Sequence, residues 1–103
     1  MKKKLYYTYL TTNDRQTVIY TGMTNNLSRR MTEHKNGKSS NSFTNQYHAS
    51  KLVYYEIFNC ASEAIKREKQ IKAGPRNKKI ELIKRENPNF NDLAVVISDV
   101  KIK

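Results

Sequence analysis

A glutamate set among apolar residues, an arginine and a histidine one helical turn apart, and tyrosines at alternating positions are the side chains here whose placement could carry chemistry. In the stretch 61–73, Ala64, Ile65 and Ile71 mark an inner face at helical spacing, and Glu68 falls between Ala64 and Ile65 in angle. Glu63 does not. A carboxylate centred on an apolar face is costly unless it is paired with a cation or bound to a metal. Both a salt bridge and a metal site remain open for Glu68. Upstream, Leu27 and Met31 begin an apolar stripe, and His34 lies about 20° around the axis from Leu27. Arg30 lies about 60° from Leu27 and beside His34 at the i, i+4 spacing, whereas Arg29 points away. A solvated charge and a half-buried structural histidine are the plain alternatives. Tyrosines at alternating strand positions ordinarily pack, so Tyr7, Tyr9 and Tyr20 do not by themselves indicate catalysis.

These residues need a scaffold. LYYTYL at 5–10 and TVIYTG at 17–22 alternate as strands, and Asn13-Asp14 between them signals the turn of an antiparallel hairpin. Val18, Tyr20 and Gly22 share one face. Asn25 or Asn26 can cap a helix that runs to about Lys35 and is closed by Asn36-Gly37. Residues 36–50 are polar and read as a surface loop. LVYYEIF at 52–58 is the third strand. Residues 61–73 form the second helix, ended by Gly74-Pro75, and proline at a first helical position opens a third over 75–86. The sequence therefore predicts an α+β domain in the order ββαβαα, a small three-stranded antiparallel sheet flanked by helices. Residues 1–93 make one domain. Residues 94–103 are an extension that reads as an added strand or a loose tail.

Charge points to the partner. The 103 residues hold 20 Lys and Arg against 9 Asp and Glu, a formal net charge of +11. Such a field attracts polyanions, nucleic acid first and an anionic membrane surface second. Within 66–85 nine basic residues face two glutamates, and Lys66, Lys69, Lys72, Arg76, Lys78 and Lys79 are the candidate phosphate contacts. An ordinary solvated face is the alternative. No apolar run is long enough to span a bilayer. Lys2–Lys4 look like the start of a signal peptide, but Leu5–Leu10 is too short and too rich in tyrosine to continue one, which implies a cytoplasmic protein. Cys60 stands alone, excluding an internal disulfide and a thiolate metal cluster. The length leaves no room for an enclosed cofactor cavity, so no small-molecule cofactor is expected.

The order and spacing of the motifs resemble those of the GIY-YIG nucleases. YTY at 7–9 and YTG at 20–22 are similar to that family's paired motifs. MTNNLSRRMTEH resembles its first helix, with Arg30 and His34 at the matching places. SEAIKREKQIK resembles the helix that bears its metal-binding glutamate, here Glu68. The likeness covers about residues 5–93. Tyr7-Thr8 replaces the glycine and isoleucine of the first motif, and Thr21 the isoleucine of the second.

The resemblance implies metal-dependent hydrolysis of DNA phosphodiester bonds, in a repair or recombination setting. Glu68 would hold one Mg²⁺ or Mn²⁺ ion, and Arg30 would donate to the scissile phosphate. Tyr9 is the first choice of general base, with Tyr20 assisting and His34 positioning a tyrosine or the attacking water. A free tyrosine titrates near 10, so a basic Tyr9 needs cations beside it. Gly22 would let backbone and substrate approach closely. The competing reading keeps the fold and the basic surface but binds DNA or RNA without cutting it. Glu68 on an apolar face discriminates, because binding alone does not call for it.

Overall fold

The computed structural model describes residues 4–35 and 49–94. Within them the order is β1 (Tyr6–Thr12), β2 (Ile19–Thr24), α1 (Leu27–Lys35), β3 (Lys51–Phe58), α2 (Ala61–Ala73) and α3 (Arg76–Glu86). The strands form one antiparallel sheet in the order β2-β1-β3. This is the α+β, ββαβαα arrangement that the periodicities predict. Most of the predicted 36–50 loop and the extension beyond Ala94 lie outside the described residues.

The hairpin turn is longer than the sequence suggests, and β2 starts at Ile19, not Thr17. Asn13 causes the difference. Its Oδ1 accepts from the backbone N–H groups of Thr17 at 2.9 Å and Val18 at 3.3 Å, and its Nδ2 donates to Thr17 Oγ1 at 2.6 Å. This Asx-type wrapping draws Thr17 and Val18 into the loop. Gln16 sits there at φ 59°, the left-handed region. Asn26 caps α1 as expected, its Oδ1 accepting from Arg29 N at 3.1 Å. Pro75 is the N-cap of α3, one position earlier than the first helical place expected for it.

Both faces of the sheet are covered. On one, Tyr9 and Leu52 pack with Leu27 and Met31 of α1 and with Ala94. On the other, Leu10, Val53 and Tyr54 pack with Ile71 of α2, Ile83 of α3 and Phe90. Alternation along β1 thus sends Tyr9 and Leu10 into different halves of the core. The β3 register breaks at one point: Leu10 faces Tyr54 and Thr11 faces Leu52, so Val53 is an extra residue. The buried Asn87 side chain takes up the freed carbonyl, donating from Nδ2 to Val53 O at 3.0 Å and to Asn91 O at 2.9 Å. A further tie runs from Thr8 Oγ1 to Ala64 O at 2.7 Å and fixes α2 on the central strand.

No described helix is long and apolar enough to cross a membrane. Ile65, which the spacing places on the inner face of α2, is 37% exposed. Ala64 and Ile71 are the buried positions, and Arg67 and Glu68 flank them. The inner face is narrower than the apolar pattern alone implies.

Candidate active site

Tyr9 and Gly22 are direct cross-strand partners. A Cβ built on Gly22 would lie 2.6 Å from Tyr9 Cζ and Oη and 2.8 Å from Tyr20 Cε2. The space over the glycine is therefore occupied by the two tyrosine rings. This corrects the expectation that it admits substrate. His34, arriving from α1, completes a triangle of rings: Tyr9–Tyr20 centroids are 6.2 Å apart, and each lies 6.1 Å from the imidazole.

The helical phase brings Arg30 and His34 to this cluster. Tyr9 Oη lies 3.2 Å from His34 Nε2 and accepts from Arg30 Nε at 3.4 Å. Arg30 also donates from its terminal nitrogen to Glu33 Oε1 at 3.1 Å. Arg29, on another face, reaches Glu33 only at 3.7 Å and is far more exposed. Glu33 is a member of the site that sequence reasoning missed. Its i, i+3 spacing to Arg30 was the available signal.

Burial sets the protonation states. Tyr9 is 1% exposed. Burial pushes its hydroxyl up to about 12; the Arg30 hydrogen bond pulls the other way, and the nearby Tyr20 and Glu68 push it up further. A free phenolate is therefore not the resting state near neutral pH. His34 is 5% exposed. Burial, reinforced by the Arg30 guanidinium, lowers its imidazole to about 4, with Glu33 opposing. His34 is therefore neutral at pH 7 and only a weak proton acceptor.

Glu68 comes from the helix on the other face of the sheet, yet its charge is felt at Tyr9. Its side chain is 19% exposed, and Lys72 Nζ donates to Oε2 at 3.0 Å. Glu68 is thus both a half-buried carboxylate and a member of a surface ion pair. Among the described residues no group of three His, Cys, Asp or Glu side chains could hold a metal ion. A site built on Glu68 is a single-carboxylate site. That donor set suits Mg²⁺ or Mn²⁺, which retain water and share substrate oxygens, and does not suit structural zinc.

The basic positions divide. Lys66, Lys69 and Lys78 are exposed, with Lys78 only 4.0 Å from Glu81. Lys72 is spent on Glu68. Arg76 braces the hairpin turn through the carbonyls of Gln16 and Thr17, and Lys79 donates to Gly74 O at the end of α2. Arg67 is held by three contacts to Glu56 at 3.0–3.2 Å. The free basic surface is smaller than the count of lysines and arginines suggests.

Residues 5–87 match the family model described as the GIY-YIG catalytic domain. A UPF0213 protein of Syntrophus aciditrophicus is 41% identical over 70 residues, which are 68% of this chain and 79% of that one. A UPF0213 protein of Clostridium perfringens is 45% identical over 65 residues, 63% of this chain and 69% of that one. The solution NMR structure of a UPF0213 protein from Bacillus halodurans superposes with a TM-score of 0.51 at 25% identity, covering 85% of this chain and 92% of the other.

Proposed function

Because the chain belongs to the GIY-YIG nuclease family, we propose that it hydrolyses DNA phosphodiester bonds with a divalent cation, Mg²⁺ or Mn²⁺, using Tyr9, Arg30, His34 and Glu68, with Tyr20 as a supporting ring. The observation that carries this reading is the Tyr9 hydroxyl set between Arg30 Nε and His34 Nε2. Arginine can only donate, so the Tyr9 oxygen accepts from it, and in the tautomer of His34 that carries its proton on Nδ1 the Nε2 atom accepts the phenolic proton.

No free phenolate has to form. Tyr9 takes a proton from the attacking water as its own proton passes to His34 Nε2, so the acceptor is a base held neutral by burial. With the Tyr9 hydroxyl raised to about 12 and the His34 imidazole lowered to about 4, this transfer is uphill in the free protein, and movement of Arg30 toward the phosphate would remove one of the charges that depresses His34. Arg30 is drawn toward the scissile phosphate and releases the Tyr9 oxygen for water. Its charge then offsets charge building on the phosphoryl oxygens. Glu68 would hold the cation with water and phosphate oxygens as the other ligands. Bound there, the ion supplies Lewis acidity and relieves charge on the departing oxygen. Lys66, Lys69 and Lys78 supply phosphate contacts that do not read sequence. DNA repair or recombination is the setting we assign to this activity.

The high Tyr9 value is also the observation that favours the rival reading, binding without cleavage. Purified protein incubated with Mg²⁺ or Mn²⁺ and plasmid, branched and single-stranded DNA separates the two. Cleavage that EDTA stops, that Arg30→Ala abolishes and that Arg29→Ala retains supports the nuclease. Binding to the same DNAs with no cleavage under either ion supports the rival.

A further inference from the structure

On the flank of α2 away from Glu68, the helix and α3 enclose a groove of about 350 Å³. Arg67 and Glu68 are adjacent in sequence and so about 100° apart on the helix. Arg67, Gln70, Ile71 and Gly74 line the groove, and Glu68 does not. The groove is thus separate from the tyrosine cluster. Its volume is at the lower end of the range typical of small-molecule sites.

Its lining has two parts. Ile71, Gly74 and Leu82 are apolar, and Lys78, Lys79 and Arg85 are cationic. Glu81 is the one carboxylate in the lining, and it approaches Lys78 no closer than 4.0 Å. Among the described residues no carboxylate pairs with Arg85. Lys79 spends one donor on Gly74 O and has two more. Gln70 Oε1 accepts from Arg67 at 2.8 Å, which turns the amide toward a fixed partner and leaves its NH₂ group to donate.

Gly74 supplies an independent observation. The backbone does not require glycine there: φ is −78° and ψ 161°, the extended region that a residue before proline ordinarily adopts. A Cβ would meet only Ile71 O at 3.4 Å and Gln70 O at 3.9 Å. The fold therefore tolerates a side chain at 74. What a larger one would occupy is the groove.

We propose that the α2–α3 groove binds a nucleoside phosphate, with its flat base against Ile71, Gly74 and Leu82 and its phosphate on Lys78, Lys79 and Arg85. A bare anion would use only the cationic part. A purely apolar ligand would leave the Lys79 and Arg85 charges, which pair with no carboxylate among the described residues, without a counterion. A ring joined to a phosphate satisfies both, and Gln70 can donate to the edge of the base. Two sources share this chemistry: a free nucleotide and the 5′-terminal nucleotide of a strand. The inference does not depend on hydrolysis at the tyrosine site.

The test is a titration of ¹⁵N-labelled Glu68→Gln protein in EDTA, followed by NMR, so that no turnover can occur. The ligands are AMP, a 5′-phosphorylated oligonucleotide, the same oligonucleotide without its phosphate, and pyrophosphate. AMP should shift the Ile71, Gly74 and Leu82 amides saturably and bind at least about tenfold tighter than pyrophosphate. The phosphorylated oligonucleotide shifting the same amides more tightly than AMP assigns the strand end; the reverse order assigns the free nucleotide. Gly74→Leu should weaken AMP at least about tenfold. Lys78→Glu with Arg85→Glu, both at exposed positions, should do the same and carries the test if Gly74→Leu does not fold. No saturable shift at these amides, pyrophosphate matching AMP, or full affinity in the charge-reversed protein overturns the proposal.

Discussion

Acid should destabilise this protein through His34 well before its carboxylates titrate. The folded protein holds the imidazole near 4, against 6.5 in the open chain. A group with a depressed pKa binds fewer protons when folded, so its contribution is intact above about 6.5 and is lost as pH falls toward 4. At pH 4.5 the unfolded imidazole is almost fully charged while the folded one is mostly neutral. The difference amounts to about 2 kcal/mol relative to pH 7. For a domain of this size that is roughly 10 °C in Tm. Urea unfolding at pH 7 and pH 4.5, run on the wild type and on His34→Gln, isolates the effect, because glutamine does not titrate. The wild type should lose about 2 kcal/mol more than the variant between the two pH values. Equal losses would mean that burial does not hold the His34 imidazole below its ordinary range in the folded protein.

Two further substitutions probe the scaffold beneath the site. Gly22→Ala should cost about 1–3 kcal/mol by overpacking, because its Cβ meets Tyr9 and Tyr20 below 3 Å; the tyrosine near-UV dichroism should change with it, and an unperturbed spectrum at wild-type stability would refute the cradle. Asn87→Ala should cost about 2 kcal/mol in chemical denaturation, since it strands the Val53 carbonyl at the bulge together with two groups of Asn91. Asn89→Ala, at an exposed position, is the control and should be neutral.

The parts of the fold that were legible are those that periodicity encodes. Leu27, Met31 and His34 fall on one side of a helix by spacing alone, and they are the three buried residues of α1. Alternation in LYYTYL separates Tyr9 from Leu10, and the two lie in opposite halves of the core. The misplaced features depend on side chains acting on distant or irregular backbone. The Asn13 wrapping that delays β2 involves three hydrogen bonds across five residues, which no period reports. Ile65 is apolar and near the right angle, yet Ala64 and Ile71 are the buried positions of α2 and Ile65 stays exposed, a difference that hydrophobicity alone does not encode. Arg76 and Lys79 counted toward the basic surface in sequence, yet backbone carbonyls bind both. At the site, spacing brought Arg30 and His34 to one face. It could not show that the Gly22 hollow is filled by Tyr9, because that depends on which tyrosine lies across the strand pair.

The most direct test is cleavage by Glu68→Gln beside Glu63→Gln, with melting temperature and DNA affinity measured on the same preparations. Glu68→Gln keeps the shape of the side chain and removes the charge that holds a cation. The pair it makes with Lys72 is a surface i, i+4 contact, worth about 0.3–0.5 kcal/mol, so Tm should fall by no more than a few degrees. DNA affinity should hold or rise, since a negative charge near the phosphates is gone. The account predicts Mg²⁺-dependent cleavage by the wild type and by Glu63→Gln and none by Glu68→Gln. A folded Glu68→Gln protein that still cuts DNA would contradict it.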